Sequence, residues 1–390
     1  MQKYYKRLIE PLIIKYLKNF CVVGLTGPRQ SGKSTVLKYL LKDSYTYVTF
    51  DDYMMVEFFN EDPKKFMQTY SDRVIFDEVQ KVPDIFHYIK LAVDNDRQNY
   101  GKFIITGSSQ FSFIQKITES LAGRIGLLTL LPFTYEEFPD EMKNEGLYSG
   151  GFPELVSRNF SLSNEWYAAY LETYIEKDVR QVYDIGNMRD FRKLITLLAA
   201  NIGNILNLSR FANDLGVAVS TIKKWVSVLE ASYLLFLLPA FTGNLRKNVV
   251  KSPKIYFYDN GLVAYLTGIT TRALFEQGPM AGALFENYII SEIRKTRVNL
   301  PLAEHLYFYK EQRGIEVDLL IETPQRKTWI EIKQSATFKP KMVQPIETLL
   351  KKNDTGYLIY QGDDVKIGDQ IQCMNYHNFL SQSQKFNGLV

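Results

Sequence analysis

Cysteine is almost absent from the 390 residues. Cys21 and Cys373 are the only two, and they lie far apart in the chain. That excludes a disulfide framework. With only three scattered histidines (His87, His305, His377), it also removes the material for a zinc cluster or a histidine-based triad. Charge of one sign is scarce as well. The net value of +4 is too small to argue for a polyanionic partner by itself. Long apolar runs are missing. The longest, "YLLFLLPAF" (233–241), contains Pro239 and is far too short to span a bilayer. The start, "MQKYYKRLIEPLIIKYLKNF", is basic, and its apolar positions are broken by lysines, so it lacks a signal-peptide core. The expectation is a cytoplasmic protein with no membrane association. No internal repeat or low-complexity tract interrupts the chain.

What is present is aromatic bulk, 26 Tyr and 25 Phe, in a length that suits two or three domains. "FCVVGLT", "YTYVTFDD", "RVIFDE" and "KFIITGS" are short apolar runs ending in polar or acidic residues. Helical spacing lies between them, as in "STVLKYLL" and "VPDIFHYIKLAVDN". This alternation predicts an α/β fold with a parallel sheet and a ligand at the carboxyl ends of its strands. The glycine-rich "KNEGLYSGGFPE" (143–154) reads as a connection. Helical patterns follow it, and strands return near 253. The expected division is therefore 1–145, 146–250 and 251–390.

"GPRQSGKST" fits G-x-x-x-x-G-K-[ST], and it sits between a strand and a helix. Gly27, Pro28, Arg29, Gln30, Ser31, Gly32, Lys33, Ser34 and Thr35 form the expected loop. Its glycines let backbone N–H groups turn toward phosphate oxygens, at the positive end of the following helix. Lys33 is expected to reach the β- and γ-phosphates of ATP, and Ser34 to bind Mg²⁺. In "RVIFDE", Asp77 completes the metal shell at a strand tip, and Glu78 orients or deprotonates the attacking water. Ser108, at the end of the next strand, is expected to contact phosphate or water, or else to cap a helix. Arg124 is expected either to reach a neighbouring subunit's γ-phosphate or to be a plain surface residue.

Further along, "NLSRFANDLGVAVSTIKKWVSVLEAS" (207–232) has helix-turn-helix form. Ser220, Thr221, Lys223, Lys224 and Trp225 stand on its second helix, with Phe211, Leu215, Val219, Ile222, Val226 and Leu229 holding the pair together. In DNA binders the start of the second helix meets the major groove. "GNLRKNVVKSPK" adds Arg246 and Lys247 as a basic wing. DNA and a protein partner both remain open for this unit. In "GIEVDLLIETPQRKTWIEIKQ" (314–334), strand alternation turns Glu331 and Lys333 to one side and Ile330 and Ile332 to the other. If Asp318 lies across the hairpin from Glu331, two carboxylates and a lysine converge. Such a pair can hold Mg²⁺ through oxygen.

These stretches, with "IFDEVQKVPD", "FIITGSSQF", "LAGR", "LLPFTYEEF", "GGFPE", "YIEKDV", "KSPKIYFYDNGL" and "GALFENYIISEI", resemble the bacterial and archaeal AAA-type ATPases fused to a C-terminal domain of unknown function. The resemblance covers nearly the whole chain. It implies a P-loop ATPase fold, then a helical winged-helix region, then a nuclease-like α/β region, with ATP and Mg²⁺ at Gly27 to Ser34, Asp77 and Glu78. The hairpin is similar to the PD-(D/E)xK nucleases, with Asp318 and Glu331-Ile332-Lys333 as the motif and Glu286 as the additional helix acid. The implied activity is that of an ATP-hydrolysing switch or motor facing nucleic acid. The alternatives are an ATP-gated metal-dependent nuclease, and a signalling or assembly ATPase whose C-terminal region only binds partners, as a homo-oligomer or with another protein.

Overall fold

The computed structural model describes residues 4–107, 117, 120–174, 187–242, 251–299, 305–311 and 314–382. Ser108, Arg246 and Lys247 lie outside them.

The first sheet contains β1 (Val22–Thr26), β2 (Thr46–Thr49), β3 (Val74–Asp77), β4 (Phe103–Thr106) and β5 (Ile125–Thr129). All pairings are parallel, in the order β2-β3-β4-β1-β5. Every residue of β1, β3 and β4 is buried, which is why they read as nearly continuous apolar runs. Alternate side chains feed two cores. Val22, Phe76, Phe103 and Ile105 pack on one face. Val23, Leu25, Ile75 and Ile104 pack on the other, beneath helices Glu10–Leu17 and Lys33–Leu41. Strand β4 stands between β1 and β3. The carboxyl ends of β1 and β3 therefore flank a crevice where connections leave in different directions.

The segment expected as a connection is helical. Helices Lys143–Ser149 and Pro153–Ser157 flank Gly150. Gly146 is inside the first because a Cβ there would come within 2.8 Å of the Phe138 ring. Close packing, not chain flexibility, explains this glycine.

Helices Leu208–Leu215 and Val219–Ala231 form a pair joined at Gly216, which takes a left-handed conformation (φ 66°). Asn207 caps the first by accepting from Arg210 N. Two assignments change. Val219 is 45% exposed, whereas Trp225 is 3% exposed and meets Phe191 edge-on, so Trp225 and not Val219 belongs to the core of the pair. The chain then forms an antiparallel hairpin, β6 (Leu235–Leu238) with β7 (Lys254–Phe257). This pairing crosses position 250/251.

The last sheet is mixed: β8 (His305–Lys310), β9 (Glu316–Glu322), β10 (Lys327–Ile332), β11 (Thr355–Tyr360), β12 (Val365–Ile367) and β13 (Ile371–Asn375), in the order β12-β13-β11-β10-β9-β8. Helix Ala281–Arg297 packs on it. One hydrophobic core joins this sheet to the helical region, and Leu229, Ile255, Ile289 and Leu319 are all fully buried in it. Among the described residues, no helix is long and apolar enough to cross a membrane.

Candidate functional site: a phosphate loop and a distant carboxylate cluster

Strand β1 ends at Thr26, and the chain turns at once through Gly27. Its φ is 142°, and a Cβ would lie 2.0 Å from Leu130 O, so only glycine passes here. Gly32, also at positive φ (93°), is the N-cap of helix Lys33–Leu41. That leaves the first N–H groups of the helix directed out of its positive end. Lys33 is 6% exposed, and its Nζ donates to Gly27 O (3.0 Å) and Pro28 O (2.9 Å).

Asp77 ends β3. Ser34 Oγ donates to Asp77 Oδ2 at 2.9 Å, joining two hard oxygen donors from different elements. Tyr47 OH donates to the same Oδ2, and Thr106 Oγ1 donates to Oδ1. Glu78 adopts φ 59°, and its N–H donates to Thr106 Oγ1 at 3.3 Å. Its carboxylate accepts from Gln80 Nε2. Burial raises the Glu78 pKa, with the Lys33 charge opposing the rise. Tyr47 is held protonated by burial and by its bond to Asp77. Sequence reasoning missed Tyr47 and Thr106. Thr106 had a visible signal, since it is the polar tip of "FIIT"; Tyr47 had none.

A third missed residue is Arg7. Its guanidinium donates to Ser31 O (2.8 Å) in the loop, to Leu131 O (2.7 Å) and to Glu137.

Arg124 lies away from this chain's own phosphate loop. It immediately precedes β5, at the amino end of the parallel strands, whereas the phosphate loop is at their carboxyl end. A five-residue strand separates the two by roughly 15 Å. Asp94 grips it with two bonds, 2.7 and 3.0 Å.

The last sheet builds a second constellation. The β9/β10 register pairs Ile330 with Leu319, which places Glu331 one step on, opposite Asp318. Asp318 Oδ2 accepts from Ile332 N (2.8 Å) and Lys333 Nζ (3.4 Å), and Lys333 Nζ pairs with Glu331 Oε1 at 2.5 Å. Glu286 comes from helix Ala281–Arg297. Its Oε1 accepts from Tyr256 OH (2.6 Å) and Lys254 Nζ (3.5 Å), both on β7. Lys254 also pairs with Glu316 Oε1 at 2.8 Å. The hairpin is not half-solvated: Leu320 and Trp329, on the same side as Asp318 and Glu331, are 0% and 2% exposed. Burial, then the Asp318 charge, raises the pKa of both Glu286 and Glu331.

The structure thus brings together Glu286, Asp318, Glu331 and Lys333, and adds Lys254, Tyr256 and Glu316. Carboxylate oxygens suit Mg²⁺ or Mn²⁺. Yet among the described residues no three carboxylate, histidine or cysteine side chains converge closely enough to hold a metal ion. The expected metal position between Asp318 and Glu331 is taken by the Lys333 ammonium, so this arrangement does not fit a divalent cation.

On the helix pair, Ser220, Lys223 and Lys224 are exposed and Thr221 is partly so, at the start of the second helix as expected.

The fold and the phosphate loop define an AAA-type P-loop ATPase. Residues 19–139 match the family described as AAA domain. Residues 141–273 and 281–379 match two domains of unknown function, DUF8612 and DUF4143. The chain is 30% identical over 318 residues to the uncharacterized protein Rv2008c of Mycobacterium tuberculosis, covering 81% of this chain and 71% of that protein. It is 24% identical over 342 residues to the uncharacterized protein MJ1544 of Methanocaldococcus jannaschii, with 79% and 73% covered. Among solved structures, the Walker-type ATPase PABY2304 of Pyrococcus abyssi is 15% identical, with a TM-score of 0.48 over 67% of this chain and 96% of that one. The chain belongs to the family of the mycobacterial protein.

Proposed function

We propose that the chain hydrolyses ATP in a Mg²⁺-dependent reaction and uses the cycle to act on nucleic acid. The observation that carries the reading is the 2.9 Å contact of Ser34 with Asp77, beside Lys33 and Glu78. Ser34 and Asp77 hold the magnesium, which when bound neutralises phosphate charge. Lys33 leaves its carbonyl partners for the β- and γ-phosphates. Glu78 accepts a proton from the water that attacks the γ-phosphorus, while the bond to the ADP oxygen breaks. Thr106 ties Asp77 to the Glu78 backbone and keeps the two roles in register. Steady-state phosphate release by wild type and Lys33→Ala tests this; turnover that survives the substitution refutes it.

The nucleic-acid part rests on the start of helix Val219–Ala231, where Ser220, Lys223 and Lys224 are exposed and Thr221 partly so, in a helix pair followed by the β6/β7 hairpin. The convergence of Glu286, Asp318, Glu331 and Lys333 favours a nuclease-like architecture for the last sheet as a second reading. Because the cluster does not fit a metal as arranged, no cleavage step is assigned to it.

A further inference from the structure

Residues 130–134 follow β5 and belong to no sheet. A stretch without a partner strand must find bonds for its backbone elsewhere. On one side it lies against the phosphate loop. Leu130 N donates to Thr26 O at 2.8 Å, and Leu130 O is the atom that leaves no room for a Cβ on Gly27. Leu131 O accepts from Arg7, whose other terminal nitrogen donates to Ser31 O. The stretch is therefore the wall against which the loop turns.

On its other side the bonds come from helix Ala281–Arg297 and the residues just after it. Asn299 Oδ1 accepts from Thr129 N, and Asn299 Nδ2 donates to Thr129 O, each at 2.7 Å. Lys295 Nζ donates to Phe133 O at 2.8 Å. Glu292 Oε2 accepts from Tyr135 N at 2.7 Å. Val298 keeps helical angles (φ −59°, ψ −27°), so positions 292, 295 and 299 follow the i, i+3, i+7 spacing of one helix face. All four bonds go to main chain. The Asn299 amide pairs with Thr129 much as another strand would, and β5 is the edge strand of its sheet. Glu292 and Lys295 are buried and pair with each other at 2.5 Å.

A second observation concerns room. A cavity of about 300 Å³ lies at this joint, with Arg7, Leu131, Lys295 and Asn299 in its lining. Directed bonds, more than close packing, hold the stretch here, so its position depends on them.

We propose that Glu292, Lys295 and Asn299 are positioning residues for the phosphate loop. By fixing the backbone from Thr129 to Tyr135, they hold Leu130 against Gly27 and keep the loop in the form that takes phosphate. Nucleotide binding and the docking of this helix then strengthen each other, since coupling between two binding events is reciprocal. The proposal rests on reading Gly27 to Ser34 as an ATP site.

The test uses the full chain as wild type, Asn299→Ala and Lys295→Met. A fluorescent ATP analogue with Mg²⁺ gives Kd, ATP turnover gives KM and kcat, and thermal melts are run with and without nucleotide. Both variants should bind nucleotide roughly three- to tenfold more weakly, the equivalent of one or two lost hydrogen bonds. KM should rise more than kcat falls, and the nucleotide-induced gain in melting temperature should shrink. Asn299→Asp keeps an acceptor for Thr129 N and loses the donor to Thr129 O; it stands in if the alanine variant lacks a cooperative melt. A purely structural contact would lower the melting temperature equally with and without nucleotide. The proposal is overturned if the folded variants show that pattern with Kd and KM unchanged while wild type binds nucleotide. A wild type that binds no nucleotide overturns the ATPase reading and this proposal together.

Discussion

Arg7 and Glu137 form a buried ion pair, Nε to Oε1 at 3.0 Å, with both side chains 4% exposed. The same guanidinium holds Ser31 O of the phosphate loop, and Glu137 sits in the segment whose Tyr135 N–H donates to Glu292 on helix Ala281–Arg297. That helix also carries Glu286. Buried polar contacts of Arg7, Glu137 and Tyr135 therefore link the phosphate loop to the helix that carries Glu286.

Arg7→Ala leaves the Glu137 carboxylate buried without its partner. The expected loss of stability is about 3–5 kcal/mol. Ser31 O also loses a donor, so nucleotide affinity should fall. Denaturant titration and fluorescent-nucleotide binding measure the two effects, and Arg7→Ala/Glu137→Ala separates pair energy from orphaned charge. A single variant as stable as wild type would show the pair to be incidental.

Lys33→Ala should lower ATP turnover by roughly a hundredfold or more, because one charged donor to the transferring phosphoryl group is lost. The melting temperature should stay near wild type, since Lys33 Nζ donates to the loop's own carbonyls at Gly27 and Pro28. Parallel kinetics and thermal denaturation decide.

Glu78 acts as a base only when ionised. Its pKa is raised by burial, so the carboxylate is lost at a higher pH than an ordinary glutamate as pH falls. The acid limb of kcat should therefore lie above the usual carboxylate range. Glu78→Gln should retain ATP binding and lose turnover. An acid limb near pH 4 would remove Glu78 from that role.

Lys223→Glu with Lys224→Glu should weaken DNA binding and reduce the slope of log affinity against log salt by about 2, one unit for each lost phosphate contact. Equal slopes for wild type and variant would assign this helix to a protein partner.

Much was legible in the chain before folding. The phosphate loop is local: Gly27 to Ser34 are contiguous, and their chemistry follows from backbone turns and a helix start. The register of β9 and β10 was nearly local too, because strand alternation and a tight connection bring Asp318 opposite Glu331. Trp225 was misjudged because helical spacing does not say which side faces a third helix, and Phe191 decides that. The segment 143–154 was misjudged because Gly146 marks a close approach to Phe138, not a flexible link.

The sequence by itself determined the phosphate loop from Gly27 to Ser34 and the side shared by Glu331 and Lys333, since each depends on residues a few positions apart. Tertiary structure alone decided what stands beside them. Arg7 reaches Ser31 and Glu137, Tyr47 and Thr106 reach Asp77, and Lys254 reaches Glu286 and Glu316. These partners come from separate elements, and a buried charge is compensated by whichever group packing brings within a few ångströms. Sequence spacing carries no record of that distance.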